Sequence, residues 1–358
     1  MKYFCMRRKV GMVVCLLAFM TLVACGGMQD TAQEQGTESS DGAIGESHNL
    51  IISHFLPGNH PIQTVIFEEF GSELESQTDG RITYELYDSN ILGAAGSQYD
   101  MAVTGEVSIA LSVYGYTPGR FPLVSILELP FLAESAEHGS SIMMQLYEEF
   151  QEVQAEHEEI HPLSLFTAEP AQILSKNHRI ETPEDLQGLR VRSPSPLANS
   201  ILEALGAIPV SMPMGEVYEA LERGAIDAAM APLETLYNYS FHEVVDYITV
   251  GNFSATPFFS VMNLEFYNSL SESDKEIVNS LSGATMAKKA GSVFDVDGEK
   301  GRELSSESGA EFIELTEEQL IPWEEALGTI AQTWIEDMEA NGYPGQEIYD
   351  RALELKNQ

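Results

Sequence analysis

Short apolar strands alternate with helices along most of this chain, and that order restricts the fold more than any other feature. We predict a strand at Asn49–Ser53, a helix with one apolar face at Gln63–Gln77 and a second strand at Ile82–Tyr87. A helix at Asp100–Thr104 and a strand at Val107–Val113 follow. Because strands joined by helices usually pair in parallel, this order predicts an α/β fold with a mostly parallel sheet and helices on both faces.

A second unit with the same order follows after residue 140. Thr182 is predicted to cap a short helix that has Pro183 in its first turn and Asp185 as the reciprocal acid. The chain after Asn263 is predicted to be helical, with helices starting at Ser271 and Thr316. The other predicted elements of this unit are helices at 141–156, 197–205 and 215–223 and strands at 163–166, 173–175, 188–192, 225–229 and 257–263.

The N-terminus has the pattern of a secretory leader. Basic residues precede the apolar run Val10–Val23, which is too short to remain in a bilayer, so we predict a signal peptide over residues 1–24. The run ends in Leu-Val-Ala-Cys-Gly, a lipobox in which Cys25 would be lipidated and become the first mature residue; a chance cysteine after an ordinary signal peptide is the alternative. Residues 25–47 are polar and rich in Gly, Ser and Glu, as in a flexible tether. We therefore expect an extracytoplasmic lipoprotein anchored to the membrane.

Charge and cysteine content exclude several classes of protein. The formal net charge is −38, which argues against nucleic acid as a partner because nucleic-acid binding needs cationic surfaces. Cys5 and Cys15 would leave with the leader, so the mature chain would have no cysteine pair to oxidise. Roughly 310 residues remain after the tether, which at about 150 residues per domain predicts two domains, each held together by its own core.

Residues 157–161 match a catalytic zinc motif but lack the continuous helix that this motif requires. His157-Glu-Glu-Ile-His161 fits the zinc-protease motif, but Pro162 disfavours a helix at His161, and the segment reads as a charged, solvated helix end. The sequence has no nucleophile elbow, phosphate-binding loop or cysteine nucleophile, and its other histidines show no metal-ligand spacing. We therefore predict neither an enzyme nor a bound cofactor or metal.

Arg192 is the strongest candidate for a binding residue. It ends a predicted buried strand just before Ser193-Pro194, and open α/β sheets bind ligands at the carboxyl ends of their strands. A guanidinium can hold a carboxylate through two parallel hydrogen bonds. The alternative is a surface arginine paired with one of the many acids. Met214, Tyr114 and Phe253 are candidates for an adaptable apolar or stacking wall, with packing in the core as the alternative.

Six ordered blocks resemble the substrate-binding proteins of TRAP transporters, the DctP family. The resemblance covers nearly all of the chain after the tether and is carried by HPIQTVIFEEF, ILGAAGSQYDMAVTGEVSIA, YTPGRFPLVSILELPF, TPEDLQGLRVRSP, ALGAIPVSMPMGEVYEALERGAIDAA and FFSVMNLEFYNSLSESDKEIV. It implies a two-lobed periplasmic-binding-protein-like α/β fold, with two mixed sheets flanked by helices, crossover strands and long linking helices. The implied lobes are residues 48–169 with 258–298, and residues 170–257 with 299–358.

The resemblance also implies a function. A small organic acid would close the cleft between the lobes, and the closed form would deliver it to the TRAP permease subunits in the membrane. Arg192 would hold the ligand carboxylate, and Glu234 would be a polar contact. Gln172 stands where many members have a second arginine, and Ala229-Met-Ala231 replaces a Gln-Glu-Asn run of others, so a monocarboxylate is favoured over a dicarboxylate or sialic acid. A lipoprotein serving a sensor or another carrier, or a surface hydrolase, remains the alternative.

Overall fold

The computed structural model describes residues 46–358. The predicted signal peptide, Cys25 and nearly all of the predicted tether lie outside these residues. Within the described part, no helix has both the length and the apolar character needed to span a bilayer.

Eleven strands of residues 46–358 form two sheets, and both sheets are mixed. The strands are β1 (His48–His54), β2 (Ile82–Tyr87), β3 (Ile109–Val113), β4 (Ile160–Thr167), β5 (Ala171–Ser175), β6 (Arg190–Ser193), β7 (Ile208–Ser211), β8 (Ala228–Ala231), β9 (Tyr247–Ser254), β10 (Pro257–Asn263) and β11 (Glu311–Glu314). The predicted α/β class is confirmed.

The first sheet has the order β2-β1-β3-β10-β4. β1 pairs in parallel with both of its neighbours, as the alternation of strands and helices predicts. β10 runs antiparallel to β3 and β4 and enters from far along the chain, so the sheet is mixed rather than mostly parallel. Only the parallel half could be inferred from local order, because the partner of β10 lies about a hundred residues or more away in sequence.

The second sheet has the order β11-β9-β5-β8-β6-β7. β8, β6 and β7 are parallel, whereas β5 is antiparallel to both β8 and β9. β6 therefore lies inside the sheet, with its carboxyl end beside those of β7 and β8. This arrangement places Arg192, the third residue of β6, at the edge where parallel strands end.

Thirteen α-helices of the described residues cover the sheets. They are α1 (Glu68–Gln77), α2 (Gln98–Thr104), α3 (Ala136–Glu149), α4 (Gln151–Ala155), α5 (Pro196–Ala204), α6 (Val217–Glu222), α7 (Glu234–Asn238), α8 (Leu264–Ser269), α9 (Glu272–Leu281), α10 (Gly283–Ser308), α11 (Glu317–Leu327), α12 (Ile330–Ala340) and α13 (Gly345–Lys356). The 26-residue α10 packs on α3 and β4 beside the first sheet and on α7 beside the second. It is thus a long helix linking the two halves.

We call the half built on the first sheet lobe I and the half built on the second sheet lobe II. All strands of lobe I fall in residues 48–167 and 257–263, and all strands of lobe II fall in residues 171–254 and 311–314. The exact lobe boundaries given by the resemblance stay a prediction.

Local signals for helix ends are confirmed. Thr182 and Asp185 form the expected capping box, although the helix is a short 3-10 turn, and Thr316 forms another with Gln319. Ser271 caps α9. The prediction of a wholly helical C-terminal part is wrong at β11, a four-residue strand that pairs with β9 at the sheet edge. Such a short strand has no periodicity of its own, and its pairing partner determines it.

His157 requires a correction too. The sequence predicts a solvated helix end, but His157 is only 2 % exposed. Its Nδ1 lies 2.8 Å from the Val153 carbonyl oxygen, so Nδ1–H donates there and Nε2 accepts from the Tyr114 hydroxyl at 2.6 Å. Burial lowers the pKa of His157 to about 4. His161 lies in β4, as Pro162 led us to expect.

Candidate functional site

Arg192 lies at the centre of the candidate site and is only 1 % exposed. Its Nε donates to the Met212 carbonyl at 3.0 Å, Nη1 to the Met230 carbonyl at 3.0 Å and Nη2 to the Tyr116 hydroxyl at 3.1 Å. A guanidinium has five N–H groups, so two of them have no acceptor among residues 46–358. The side chain is held in place while part of its donor capacity stays free.

The charge of Arg192 has no partner among residues 46–358. Its three acceptors are two carbonyls and a hydroxyl, and no carboxylate forms an ion pair with it. By contrast, Arg190, two residues earlier on the same strand, is paired with Asp227 at 2.7 Å. Burial lowers the pKa of Arg192, but a guanidinium remains a cation in any case. A buried cation without a counter-charge is costly, and an anion that entered the site would remove that cost.

Arg192 lines a narrow cavity with a free volume of about 20 Å³, room for about one water molecule, so a larger ligand requires the lobes to move apart. Lobe I supplies a mostly apolar wall, in which the rings of Phe55 and Phe258 are stacked with centroids 6.1 Å apart. Lobe II supplies the charged groups, Arg192 and Glu234. The lining residues are Phe55, Leu56, Val113, Tyr116, Ala168, Arg192, Pro194, Met214, Pro232, Glu234, Tyr239, Thr256 and Phe258.

Tyr116 joins the two lobes across this cavity. It follows β3 in lobe I, and its hydroxyl oxygen accepts from Arg192 Nη2 and from the Met214 backbone N–H at 3.0 Å, both in lobe II. Because the oxygen accepts twice, the hydroxyl hydrogen is left to donate elsewhere. The sequence analysis selected Tyr114, two residues earlier, rather than Tyr116.

Glu234 and Tyr239 complete the polar side of the cavity. Glu234 is 3 % exposed, and its Oε2 accepts from Asn238 Nδ2 at 2.9 Å. The Tyr239 hydroxyl is buried and has no hydrogen-bond partner among the described residues. Burial, and then the charge of Glu234, raise the pKa of Tyr239 well above its ordinary value, so it is a neutral donor. Tyr239 was missed because nothing near it in sequence marks a site.

A second buried acid, Glu169, bonds to the backbone of Glu234. Glu169 Oε1 accepts the backbone N–H of Glu234 at 2.6 Å. Burial, and then the charge of Glu234, raise the pKa of Glu169 well above its ordinary range. Gly298 of α10 makes room for it, since a Cβ there would lie 2.7 Å from Glu169 Oε1.

The structure brings Arg192, Met214 and Glu234 to one cavity and places three other predicted site residues elsewhere. Gln172 is held by four hydrogen bonds, donating to Pro170 and Asn252 and accepting from the backbone of residues 251 and 252. It fills the irregularity where β5 pairs with β9, and it faces a different surface pocket. Its amide has no free group to offer a ligand.

Tyr114 and Phe253 are packed in the cores of the two lobes. The Tyr114 hydroxyl bonds to His157, and its ring packs on Phe121 and Phe259 at 4.8 and 5.2 Å. Phe253 is fully buried, with its ring centroid 4.7 Å from that of Trp323. Neither side chain lines the Arg192 cavity.

The lobes also meet at a seam beside the cavity. A Cβ at Gly115 in lobe I would lie 2.6 Å from the Cβ of Ser195 in lobe II. Ser195 caps α5 and donates its hydroxyl hydrogen to Glu128 Oε2 of lobe I. Gly115 is therefore required for this approach of the lobes, and Ser195–Glu128 is a buried polar contact across the seam.

The described residues offer no metal centre. Between residues 46 and 358, no three His, Cys, Asp or Glu side chains are grouped in a way that could hold a metal ion. The two histidines of the zinc-protease pattern are separated in the fold, since His157 lies in the core of lobe I and His161 stacks on Tyr267 at 3.6 Å.

Known proteins with this fold bind solutes outside the cytoplasm. Residues 52–337 match the family model of bacterial extracellular solute-binding protein, family 7. A solute-binding protein of Roseobacter denitrificans is 28 % identical over 287 residues, covering 77 % of this chain and 85 % of the relative. The mixed two-sheet architecture described above is the two-lobed fold of this family, as the resemblance implied.

Two solved structures are similar over most of their length. A marine metagenome TRAP solute-binding protein specific for aromatic acids, in complex with metahydroxyphenylacetate, is 28 % identical with a TM-score of 0.83, covering 87 % of this chain and 99 % of that one. A TRAP solute-binding protein of Rhodoferax ferrireducens with copurified benzoate is 26 % identical with a TM-score of 0.83, covering 86 % and 97 %. The chain belongs to family 7 of the bacterial extracellular solute-binding proteins, the DctP family, and the resemblance found in its sequence is confirmed.

Proposed function

We propose that this protein captures a small monocarboxylate with an aromatic or similarly apolar body for a TRAP transporter. The observation that carries the proposal is Arg192, a buried cation with two free N–H groups and no carboxylate partner in the described chain. A ligand carboxylate would supply the missing negative charge and accept both free hydrogen bonds.

The lobe I wall supports an apolar ligand body. Phe55 and Phe258 offer aromatic surfaces, and Val113 and Leu56 offer aliphatic ones. Aromatic rings bury a large apolar area with favourable stacking geometry against such a wall. The two similar structures with bound aromatic acids agree with this ligand class.

The distribution of charge supports one carboxylate rather than two. Arg192 is the single cation that lines the cavity in the described chain, while Glu234 lines it as an acid. A dicarboxylate would bring its second charge near a buried acid without a second arginine to balance it. Gln172 cannot take that role, because its amide is fully bonded within lobe II.

Ligand binding would be coupled to closure of the lobes. Tyr116 of lobe I and Arg192 of lobe II meet across the cavity, so a ligand on Arg192 also contacts lobe I. A ligand that binds the closed form more tightly shifts the protein towards that form. The closed form would then release the acid, chemically unchanged, to the permease subunits.

The proposal includes a lipid anchor at Cys25, supported by the lipobox in the sequence. Intact mass measurement of protein from the native membrane fraction should show a chain that starts at residue 25 with added acyl mass. Cys25→Ser should lack that mass and leave the membrane fraction, and a lipid-free wild-type chain would refute the anchor.

Calorimetry with benzoate tests the role of Arg192. Arg192→Met should weaken binding by at least about 30-fold, because truncating one partner of a buried charge pair costs roughly 2–5 kcal/mol. Arg190→Met is the matched control, since Arg190 lies on the same strand but is paired with Asp227 at the surface. It should bind within about threefold of wild type. Equal affinities of wild type and Arg192→Met would refute the proposed function.

A further inference from the structure

We propose that Glu234 and Tyr239 form a second recognition point in the cavity, which selects acids that carry a hydroxyl group. The inference rests on the proposed function, because it requires the carboxylate of the ligand to lie on Arg192. It concerns two further polar residues that line the same cavity.

Glu234 has one oxygen that is held and one that is free. Asn238 Nδ2 donates to Oε2 at 2.9 Å, and His60 Nε2 lies 3.5 Å from that same oxygen. No donor among residues 46–358 bonds to Oε1. The Glu234 side chain is 3 % exposed and lines the cavity, so Oε1 is an acceptor without a protein donor in a largely buried residue of the cavity wall.

His60 lies beside the oxygen of Glu234 that Asn238 holds. The Nδ1 atom of His60 accepts the Ile62 backbone N–H at 3.1 Å, so the ring hydrogen lies on Nε2. Nε2 makes no hydrogen bond within residues 46–358 and lies 3.5 Å from Glu234 Oε2. Asn238 therefore orients the carboxylate through Oε2, and Oε1 is left for the ligand.

Tyr239 supplies the matching donor. Its hydroxyl is buried, lines the same cavity and bonds to no described residue. The wall of one cavity therefore carries both an acceptor oxygen and a donor hydroxyl that have no partner among residues 46–358.

A hydroxyl group satisfies both of them. It can donate its hydrogen to Glu234 Oε1 and accept from Tyr239, whereas a methoxy group accepts only and leaves the acid unpaired. A carboxylate would place a second negative charge beside Glu234. A hydrogen bond from a neutral group to a buried charged acceptor distinguishes ligands by about 10- to 100-fold in affinity.

The test compares matched acids by calorimetry on the tether-free protein. The parent acids are benzoate and phenylacetate, and each is measured beside its 3- and 4-hydroxy and its 3- and 4-methoxy derivatives. We expect at least one hydroxy derivative to bind 10-fold or more tightly than its parent. The corresponding methoxy derivative should show no such gain.

Three variants assign the gain to the proposed groups. Glu234→Gln should reduce the ratio of parent to hydroxy-acid Kd to about threefold or less, since the charge of the acceptor is lost. Tyr239→Phe removes the donor hydroxyl and should also lower this ratio. It provides an independent test of the site if Glu234→Gln does not fold. Glu128→Gln is the control, a buried acid outside this cavity, and should leave the ratio unchanged.

The outcomes separate the two proposals. If the parent acids bind through Arg192 but every hydroxy derivative lies within threefold of its parent, the hydroxyl site is refuted and the proposed function stands. A gain that survives in Glu234→Gln would refute the site as well. If none of these acids binds, the ligand class proposed above is refuted, and the hydroxyl site with it.

Discussion

Two tyrosines separated by one residue have different tasks in this protein. Tyr114 and Tyr116 lie on the same 3-10 turn, where each residue advances by about 120°, so their side chains point in different directions. Tyr114 enters the core of lobe I and bonds to His157. Tyr116 reaches across the cavity to Arg192 and Met214.

Removing each hydroxyl should separate these tasks. Tyr116→Phe takes an acceptor from Arg192 and from the Met214 N–H, and we expect benzoate affinity to fall roughly 10-fold, as for one lost buried hydrogen bond. Tyr114→Phe leaves His157 Nε2 unpaired and should cost about 1–3 kcal/mol of unfolding free energy with little change in affinity.

Calorimetry and urea unfolding of both variants decide the question. The assignment is contradicted if Tyr114→Phe weakens binding more than Tyr116→Phe does. Near-identical unfolding midpoints for Tyr116→Phe and wild type would show that its effect lies in the site.

The sequence could single out Arg192 because an arginine at the end of a buried strand is unusual, and the structure places its buried side chain in the wall of a cavity. Its role in holding a ligand stays a prediction. Gln172 and Phe253 could not be assigned in the same way. Whether they face a cavity or the core depends on a strand irregularity at residue 172 and on the packing of Trp323, which no local pattern encodes.

Lobe II and lobe I are in close contact at the start of α5. Ser195 caps the helix and donates to Glu128, while Gly115 leaves room for the Ser195 side chain. Burial raises the pKa of Glu128 to about 7, and the Ser195 hydrogen bond offsets part of that rise. The carboxyl group is therefore neutral at acid pH, and its ionisation at mildly alkaline pH lowers the stability of the fold.

Glu128 should make the native state less stable as the pH rises. Its native pKa exceeds the value of about 4.3 in an unfolded chain, so its protonation stabilises the fold in acid, and this stabilisation is lost as pH rises from about 4.5 through 7. Glu128→Gln does not titrate. The unfolding free energy of Glu128→Gln minus that of wild type should therefore be about 3 kcal/mol larger at pH 8 than at pH 5.

Urea unfolding of both proteins at the two pH values measures this difference. Comparing wild type with variant at each pH cancels the titration of other groups, such as His157, whose lowered pKa acts in the opposite direction. A difference that does not change with pH would contradict the buried ionisation of Glu128.

Helix ends were more predictable than strand partners for a physical reason. The caps at Thr182, Ser271 and Thr316 are made by residues within one turn, so a few adjacent letters contain the whole interaction. β9 pairs with β5 on one side and with β11 on the other, so each of these strands depends on a partner that is distant in sequence. Strand pairing is a long-range property, and short strands show it weakly in sequence.

The chain is strongly acidic, and its described part, residues 46–358, contains one buried arginine without an ion-pair partner. With a formal charge of −38, the surface would not attract an organic anion, so affinity must come from donors arranged inside the cavity. The two-sheet architecture provides that interior, with a polar side from lobe II and an apolar wall from lobe I. The parallel half of each sheet followed from the order of strands and helices, whereas the two-lobed arrangement came from the family resemblance.

A crystal structure of the complex with benzoate tests the central claim most directly. We predict the carboxylate oxygens within about 3 Å of the Arg192 guanidinium nitrogens, on the two N–H groups that have no protein acceptor. The ring should lie against Phe55 and Phe258, with Tyr116 still bridging the lobes. A carboxylate bound elsewhere, with Arg192 bonded only to the protein, would contradict this account.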